Sequence, residues 1–259
     1  MAQLQLSLNG GYGQQNLRWS IALSELRWEH VGGPVTSINA GWRFVGGWKL
    51  EVGYERMLFL SGKVYDTDHD ETGITYAEQF NAGKGGAGKW NAGLGYEVPV
   101  TGRFSITPSV GYGMLHQSFY LYGSNDLNST YKTKWKGPYG QVLCSIGLTK
   151  KLFTNVGFRY DQIQYKASAN WNLISAFNHP ESFRHTANGY GINAQASMIY
   201  RASKTHSIGI KGSYSSWQTG SGVDELYLAA GGMQQTQLNE VLSRSWQVML
   251  EWNISLSLK

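Results

Sequence analysis

In the stretch WQVMLEWNISLSLK, the residues Trp246, Val248, Leu250, Trp252, Ile254, Leu256 and Leu258 alternate with Gln247, Glu251, Asn253, Ser255 and Ser257. Successive side chains of a β-strand point to opposite faces, so this segment predicts a strand with one apolar and one polar face. The same period sets Tyr190, Ile192, Ala194, Ala196, Met198 and Tyr200 against Gly189, Asn193, Gln195 and Ser197, and Trp48, Leu50, Val52 and Tyr54 against Lys49, Glu51, Gly53 and Glu55. The polar faces also carry Arg43, Lys89 and Arg159. Such charges need partners in a dry sandwich core, whereas in a wet barrel lumen they are ordinary.

Periodicity alone leaves a soluble sandwich open, and composition narrows the choice. Of 259 residues only 41% are hydrophobic and 15% charged, while Gly (33), Tyr (16) and Trp (10) are abundant. A soluble domain of this size normally carries a more charged surface; low charge with many aromatics suits strands between lipid and a polar lumen. The net charge of +5 comes from scattered Lys and Arg, which argues against nucleic acid. The single Cys144 excludes an intramolecular disulfide and a cysteine metal cluster, and its alternating context reads as a small buried or lipid-facing residue. No run is long enough for a transmembrane helix.

Connections complete the fold expectation. Short ones fall near Val45–Gly47, Pro99–Gly102, Thr149–Leu152 and Ala202–Thr205, and longer polar stretches at Tyr65–Thr75, Gly123–Thr130, Asn170–Asn188 and Thr219–Asn239. Counting Gln3–Gly13 and the long Ser20–Phe44 segment as the first pair, the expectation is one all-β domain over residues 1–259. It is a closed antiparallel transmembrane barrel of about ten strands in a bacterial outer membrane, with its long loops facing outside. The opening MAQLQLSL alternates at once and is read as a mature sequence from which an export signal has been removed.

The stretch YDTDHDETG places Asp66, Asp68 and Asp70 on alternate positions. An EF-hand loop would need Gly sixth and Glu twelfth, where this chain has Glu71 and Ala77, so calcium is set aside and no metal is expected. An acidic solvated turn and a catalytic carboxylate pair remain.

LSELRW (23–28), INAGWRF (38–44), the DTD of 66–68, GYGMLHQSF (111–119), YKTKWKGPYGQV (131–142) and FRYDQIQY (158–165) together resemble, in order and spacing, the omptins. These are outer-membrane endopeptidases built as barrels of about ten strands. The resemblance implies a water held between an Asp-x-Asp site, matched here by Asp66 and Asp68, and an Asp-x-His dyad. Carrying the register on from FRYDQIQY puts Asn170 and Asn172 at the dyad positions, and an amide is not a base near neutral pH. A displaced base is open in His179 or His185, within NHPESFRHT, against the plainer reading of two exposed loop histidines.

The resemblance also implies a lipopolysaccharide site on the outer wall. Tyr112, Met114 and His116 are expected to point outward on one strand, with Lys132, Lys134 and Lys136 on its neighbour. Met114 and His116 depart from the acidic residue and the arginine of the family, and lysines that only decorate the rim are the alternative. A further departure is the end SLSLK, where such barrels commonly carry an aromatic; either the end was altered or Leu258 is tolerated.

The expected function is therefore a barrel that keeps the Asp-x-Asp site, lacks the dyad and serves as a non-peptidase surface or lipopolysaccharide-binding protein. Alternatives are an active omptin-like endopeptidase with a displaced base, acting on extracellular peptides or proteins, and a small pore. No cofactor is expected beyond lipopolysaccharide, and the partners are outer-membrane lipids.

Overall fold

Period-two segments this long satisfy their backbone polar groups only by pairing edge to edge, and in a membrane the pairing must close on itself. The computed structural model, which describes residues 2–258 apart from Leu23, Val45 and Glu71, shows that outcome. The expectations for Glu71, Val45 and Lys259 fall outside the described residues.

The strands are β1 (Ala2–Ile21), β2 (Ser24–Arg43), β3 (Trp48–Leu58), β4 (Ser61–Asp70), β5 (Gly73–Asn81), β6 (Gly85–Tyr96), β7 (Val98–Thr101), β8 (Phe104–Tyr122), β9 (Asn128–Gly147), β10 (Leu152–Asn170), β11 (Phe183–Arg201), β12 (His206–Thr219), β13 (Gly222–Tyr227) and β14 (Met233–Leu258). All pairings are antiparallel between neighbours, and β1 pairs with both β2 and β14, which closes the ring. Because β4 continues β3, β6 and β7 continue β5, and β13 continues β12, these segments form ten walls.

The long connections expected from sequence are mostly strand, and this is a correction. Within Ser20–Phe44, β1 and β2 meet in a tight turn after Ile21. Tyr65–Thr75 is the tip of the β4–β5 hairpin, and Thr219–Asn239 is largely β13 and β14. Among the described residues only 171–182 is an extended loop. Ser124–Leu127 is a two-residue hairpin turn, with Asn125 and Asp126 at φ of 56° and 61°, the left-handed pair that such turns require. The turns after β4, β8, β10 and β13 share the end of the barrel opposite Ala2 and Leu258, so the Asp66–Asp70 and 171–182 segments lie at the same rim, here called the hairpin rim.

The polar stretches misread as loops reflect an inversion of facing along each strand. In β10 the outward residues run from Leu152, Val156, Phe158 and Tyr160 to Gln162, Gln164, Lys166 and Ser168. The inward residues run from Asn155, Arg159 and Asp161 to Ile163, Tyr165, Ala167 and Ala169. In β1 the outward Leu4, Leu6, Leu8 and Tyr12 give way to Gln14, Asn16 and Arg18, while the inward Gln5, Ser7 and Asn9 give way to Leu17 and Trp19. Along β10 and β1 the alternation itself continues; only the chemistry of the two faces is exchanged.

Two environments explain the exchange. Where the outer face is apolar, the wall lies in lipid; Tyr12, Tyr54, Trp90, Tyr112, Tyr160, Tyr190, Tyr214 and Trp246 ring its upper limit, and Trp42, Trp48, Tyr96, Tyr200 and Trp252 its lower. From Tyr190 to Tyr200 a tilted strand climbs about 25 Å, the height of a hydrocarbon band between aromatic girdles. Beyond Tyr160 and Tyr190 the outer face is polar and the interior becomes the dry side. There Trp19, Trp28, Phe119, Tyr131, Trp135, Tyr165 and Phe183 form one buried cluster. Trp28 of β2 stacks on Tyr131 of β9, with three walls between them, at a ring-centroid distance of 5.4 Å. Trp135 packs on Trp217 at 6.0 Å. Opposing walls therefore touch, and the small-pore alternative fails because this core fills the interior.

Inside the lipid-level half lies a polar cavity of about 480 Å³. Part of its charge is paired: Arg159 Nε donates to both oxygens of Asp161 at 2.9 and 3.0 Å and its guanidinium covers the Tyr139 ring at 3.6 Å, and Lys49 pairs with Glu51, while Gln247 donates to Glu55 at 2.7 Å. Cys144 points outward between Val142 and Ile146, as a lipid-facing residue.

Candidate functional site

The hairpin rim and the outer wall just below it hold every residue singled out in the sequence. Asp66 and Asp68 lie on the inward face of β4, above the fully buried Val64. Across the hairpin, Asp66 faces Glu78 and Asp68 faces Tyr76. Partial burial, reinforced by the charges of Asp68 and Glu78, pushes the Asp66 carboxyl up to about 6. Burial and a bond to Glu78 push the Tyr76 phenol up to about 12. Asp70 shapes the hairpin turn instead, since its Oδ1 accepts from the Thr72 amide (2.7 Å), the Thr72 hydroxyl (2.6 Å) and the Gly73 amide (3.1 Å). Those donors hold its carboxyl below the usual value.

Asn170 and Asn172 stand at the end of β10 and just beyond it. Asn170 Oδ1 lies 2.7 Å from His179 Nδ1. The Asn172 side chain makes three bonds: its Oδ1 accepts from the Asn128 amide (2.9 Å) and the Ser129 hydroxyl (3.2 Å), and its Nδ2 donates to the Asp126 carbonyl (2.8 Å). It pins the β8–β9 turn to the loop. Among the described residues no hydrogen bond or ion pair joins Asp66 or Asp68 to Asn170, Asn172 or His179.

His185 is not an exposed loop histidine, and this expectation is corrected. It sits on the inward face of β11, fully buried, in line with Phe183. Its Nε2 faces Asp224 Oδ1 at 3.1 Å and its Nδ1 lies 2.8 Å from the Tyr131 hydroxyl, which is 2.6 Å from that of Tyr165. Thr236 donates to the other Asp224 oxygen at 2.8 Å. Since a carboxylate only accepts, the proton belongs on Nε2, leaving Nδ1 to accept from Tyr131 and Tyr131 to accept from Tyr165. Burial lowers the His185 pKa against the pull of Asp224, and raises both phenols. The order Asp–His–Tyr resembles a nucleophile-activating relay, but it opens onto no solvent; it ties β9, β10, β11 and β13 together. Extending the alternation of YGINAQ back through SFRHT places His185 inward. Asp224, 39 positions on, carries no comparable signal.

The basic wall lies outside. Tyr112, Met114 and His116 on β8 oppose Pro138, Lys136 and Lys134 on β9, and all six point outward. The register adds a residue that sequence reasoning missed: Lys166 of β10 stands directly opposite Lys134, with Lys132 and Lys136 diagonal to it. The cluster begins immediately past the aromatic ring at Tyr112 and Tyr160. Elsewhere in this half Arg18 pairs with Glu25 and Glu240, Arg27 with Glu25, and Arg184 with Glu181, while Arg56 and Arg244 stand singly on separate strands without an acidic partner among the described residues. The four lysines have no acidic partner within ion-pair distance among the described residues. Burial and the neighbouring Lys134 lower the His116 pKa.

A family model described as Pom, Protochlamydia outer membrane protein, matches residues 11–256. The chain belongs to this family. Among solved structures, the outer membrane protease OmpT of Escherichia coli superposes with a TM-score of 0.79 at 11% identity, over 98% of this chain and 96% of that one. The outer membrane protein OprG of Pseudomonas aeruginosa gives 0.44 at 12% identity (98% and 96% covered), and the toluene transporter TodX of Pseudomonas putida gives 0.36 at 8% (100% and 91%). No curated protein sequence matches. The OmpT likeness shows the fold alone: this Protochlamydia-type protein is an outer-membrane β-barrel with the architecture of an omptin.

Proposed function

We propose that this barrel is a non-peptidase surface protein whose outer wall binds the phosphorylated headgroups of lipopolysaccharide, with the hairpin rim facing outside the cell. The observation that carries the reading is the wall of Lys132, Lys134, Lys136 and Lys166, aligned in register on β9 and β10 directly past the aromatic girdle and without acidic partners. A girdle marks the headgroup level, and ammonium groups there meet phosphates. Glu25 of β2 and Glu240 of β14 pair with Arg18 and Arg27 on that side, whereas here four lysines gather on adjacent strands without acids.

Three features favour the loss of peptidase chemistry. Asn170 and Asn172 stand where the resemblance implies the dyad, the Asn172 amide is committed to the β8–β9 turn, and His185 is sealed in the core. Placing Asp and His at 170 and 172 would therefore loosen that turn before it could build a base.

The test is a titration of the refolded protein with vesicles carrying lipopolysaccharide or its dephosphorylated form. Wild type should prefer the phosphorylated lipid, Lys134→Ala with Lys166→Ala should lose most of that preference, and added salt should shrink the difference. Equal binding by wild type and variant at every salt concentration would refute the reading, as would robust cleavage of a mixed peptide library by the wild type.

A further inference from the structure

The rim carries an open seam at β5. β5 pairs with β4 along its whole length, but on its other side, among the described residues, only Asn81 meets a partner, Tyr122 at the tip of β8. From Gly73 to Gln79 every residue of β5 is exposed. Its far edge presents backbone N–H and C=O groups with no strand to take them, since alternate residues of a strand direct those groups to each side. Folded proteins usually protect such an edge with proline, lysine or a bulge. The segment GITYAEQF has neither proline nor lysine, its bulge, at Thr75, sits close to the turn and leaves Tyr76–Phe80 regular, and Ile74, Tyr76 and Phe80 favour extended structure.

Below the free edge lies a notch of about 340 Å³ between Phe80 and the β8–β9 turn, lined also by Lys63, Tyr122 and Leu127. A strand laid beside β5 would end in it. The face such a strand would share holds Asp66, Asp68 and Glu78, while Lys63, bonded to Asn81, lies on the opposite face.

We propose that the free edge of β5 docks an extended segment of another protein by strand addition, and that this segment carries Lys or Arg at alternate positions. Backbone pairing along Gly73–Phe80 supplies the attachment, and alternate side chains fall on one face of an added strand. Those side chains lie beside Asp66, Asp68 and Glu78, which selects cations. The same charges disfavour a second copy of this chain, which would bring its own Asp66, Asp68 and Glu78 towards them. The site lies on the rim, away from the lysine wall, and does not depend on lipid binding there.

The experiment uses the full chain refolded in detergent and three eight-residue peptides: alternating Lys-Thr, the same peptide N-methylated at every residue, and alternating Glu-Thr. The first should bind and protect the Gly73–Phe80 amides from hydrogen exchange. The N-methylated peptide keeps its charge but cannot pair, and should bind at least tenfold more weakly, as should the Glu peptide. Asp66→Asn with Glu78→Gln should weaken the Lys peptide by a similar factor; if that variant does not fold, the wild-type arms alone decide. No binding, binding without protection of β5, or equal binding of the N-methylated peptide would overturn the proposal. Self-association that protects β5 in sedimentation and exchange runs without peptide would overturn it in favour of a second copy.

Discussion

Trp28→Ala probes the claim that the half of the barrel beyond the lipid is held as a water-soluble core. Trp28 is fully buried, stacked on Tyr131 at 5.4 Å and tilted against Phe119 at 5.3 Å, and its indole N–H donates to the Tyr120 carbonyl at 3.0 Å. Truncating a buried Trp costs about 3–5 kcal/mol, and stranding the carbonyl adds about 1 kcal/mol. The loss should fall on the upper half alone, because the lipid-facing wall contributes nothing to this contact. At about 1.4 kcal/mol per tenfold, amides of β9 and β10 beyond Tyr160 should exchange roughly a thousandfold faster, while those between Leu152 and Phe158 stay protected. Phe158→Ala is the control: its side chain is 54% exposed to what this account takes as lipid. Its cost should stay within about 1 kcal/mol, since lipid tails replace the lost contact. Equal effects of the two substitutions, or uniform exchange along β10 in Trp28→Ala, would refute the reasoning.

Other outcomes follow from the rim and the core. The Asp66 pKa is raised from 3.8 to about 6 in the fold, so the native state gains stability as pH falls through that window; after discounting for solvent screening, Asp66→Asn should stabilise the β4–β5 hairpin by about 1 kcal/mol at pH 7 and by nothing near pH 4, read by local hydrogen exchange. His185 behaves oppositely: its folded pKa lies below the ordinary 6.5, so the unfolded chain takes the proton first and stability is lost as pH drops below that value. Exchange in β11 and β13 should rise in acid, and His185→Gln should remove the acid dependence. Gly137→Ala should cost about 3 kcal/mol or block refolding, because a Cβ there would stand 1.8 Å from the Gln162 carbonyl oxygen; unchanged thermal unfolding would contradict the backbone contact.

The lipid-level half was legible because its outward Leu, Tyr and Trp alternate with lumen polars over whole strands, as in Trp246–Leu256. The upper half was not, because there the polar set faces out: SFRHTANG and DTDHD read as loops until Phe183, His185, Val64 and Asp66 are seen to share the inward face. The outward direction of Lys132, Lys134 and Lys136 followed from the same parity. Lys166 could not be added, since only the β9–β10 register sets it opposite Lys134. Asp224 and His185 illustrate the general limit. Each looks like a loop residue by itself, and only the pairing of β11 with β13 turns the two into a buried contact.

The claim on which the rest depends is that β10 passes from lipid to water at Tyr160. In a Cys144→Ser background, single spin labels at 156 and 166 would sit on the same outward face, about 25 Å apart along the membrane normal. Accessibility to oxygen and to a water-soluble nickel chelate in vesicles measures the depth of each. The label at 156 should lie within the hydrocarbon and the one at 166 at the level of the headgroup phosphates, exposed to the nickel chelate. Two labels at equal depth, or both buried in lipid, would contradict it and remove the basis for a lysine wall at the phosphate level.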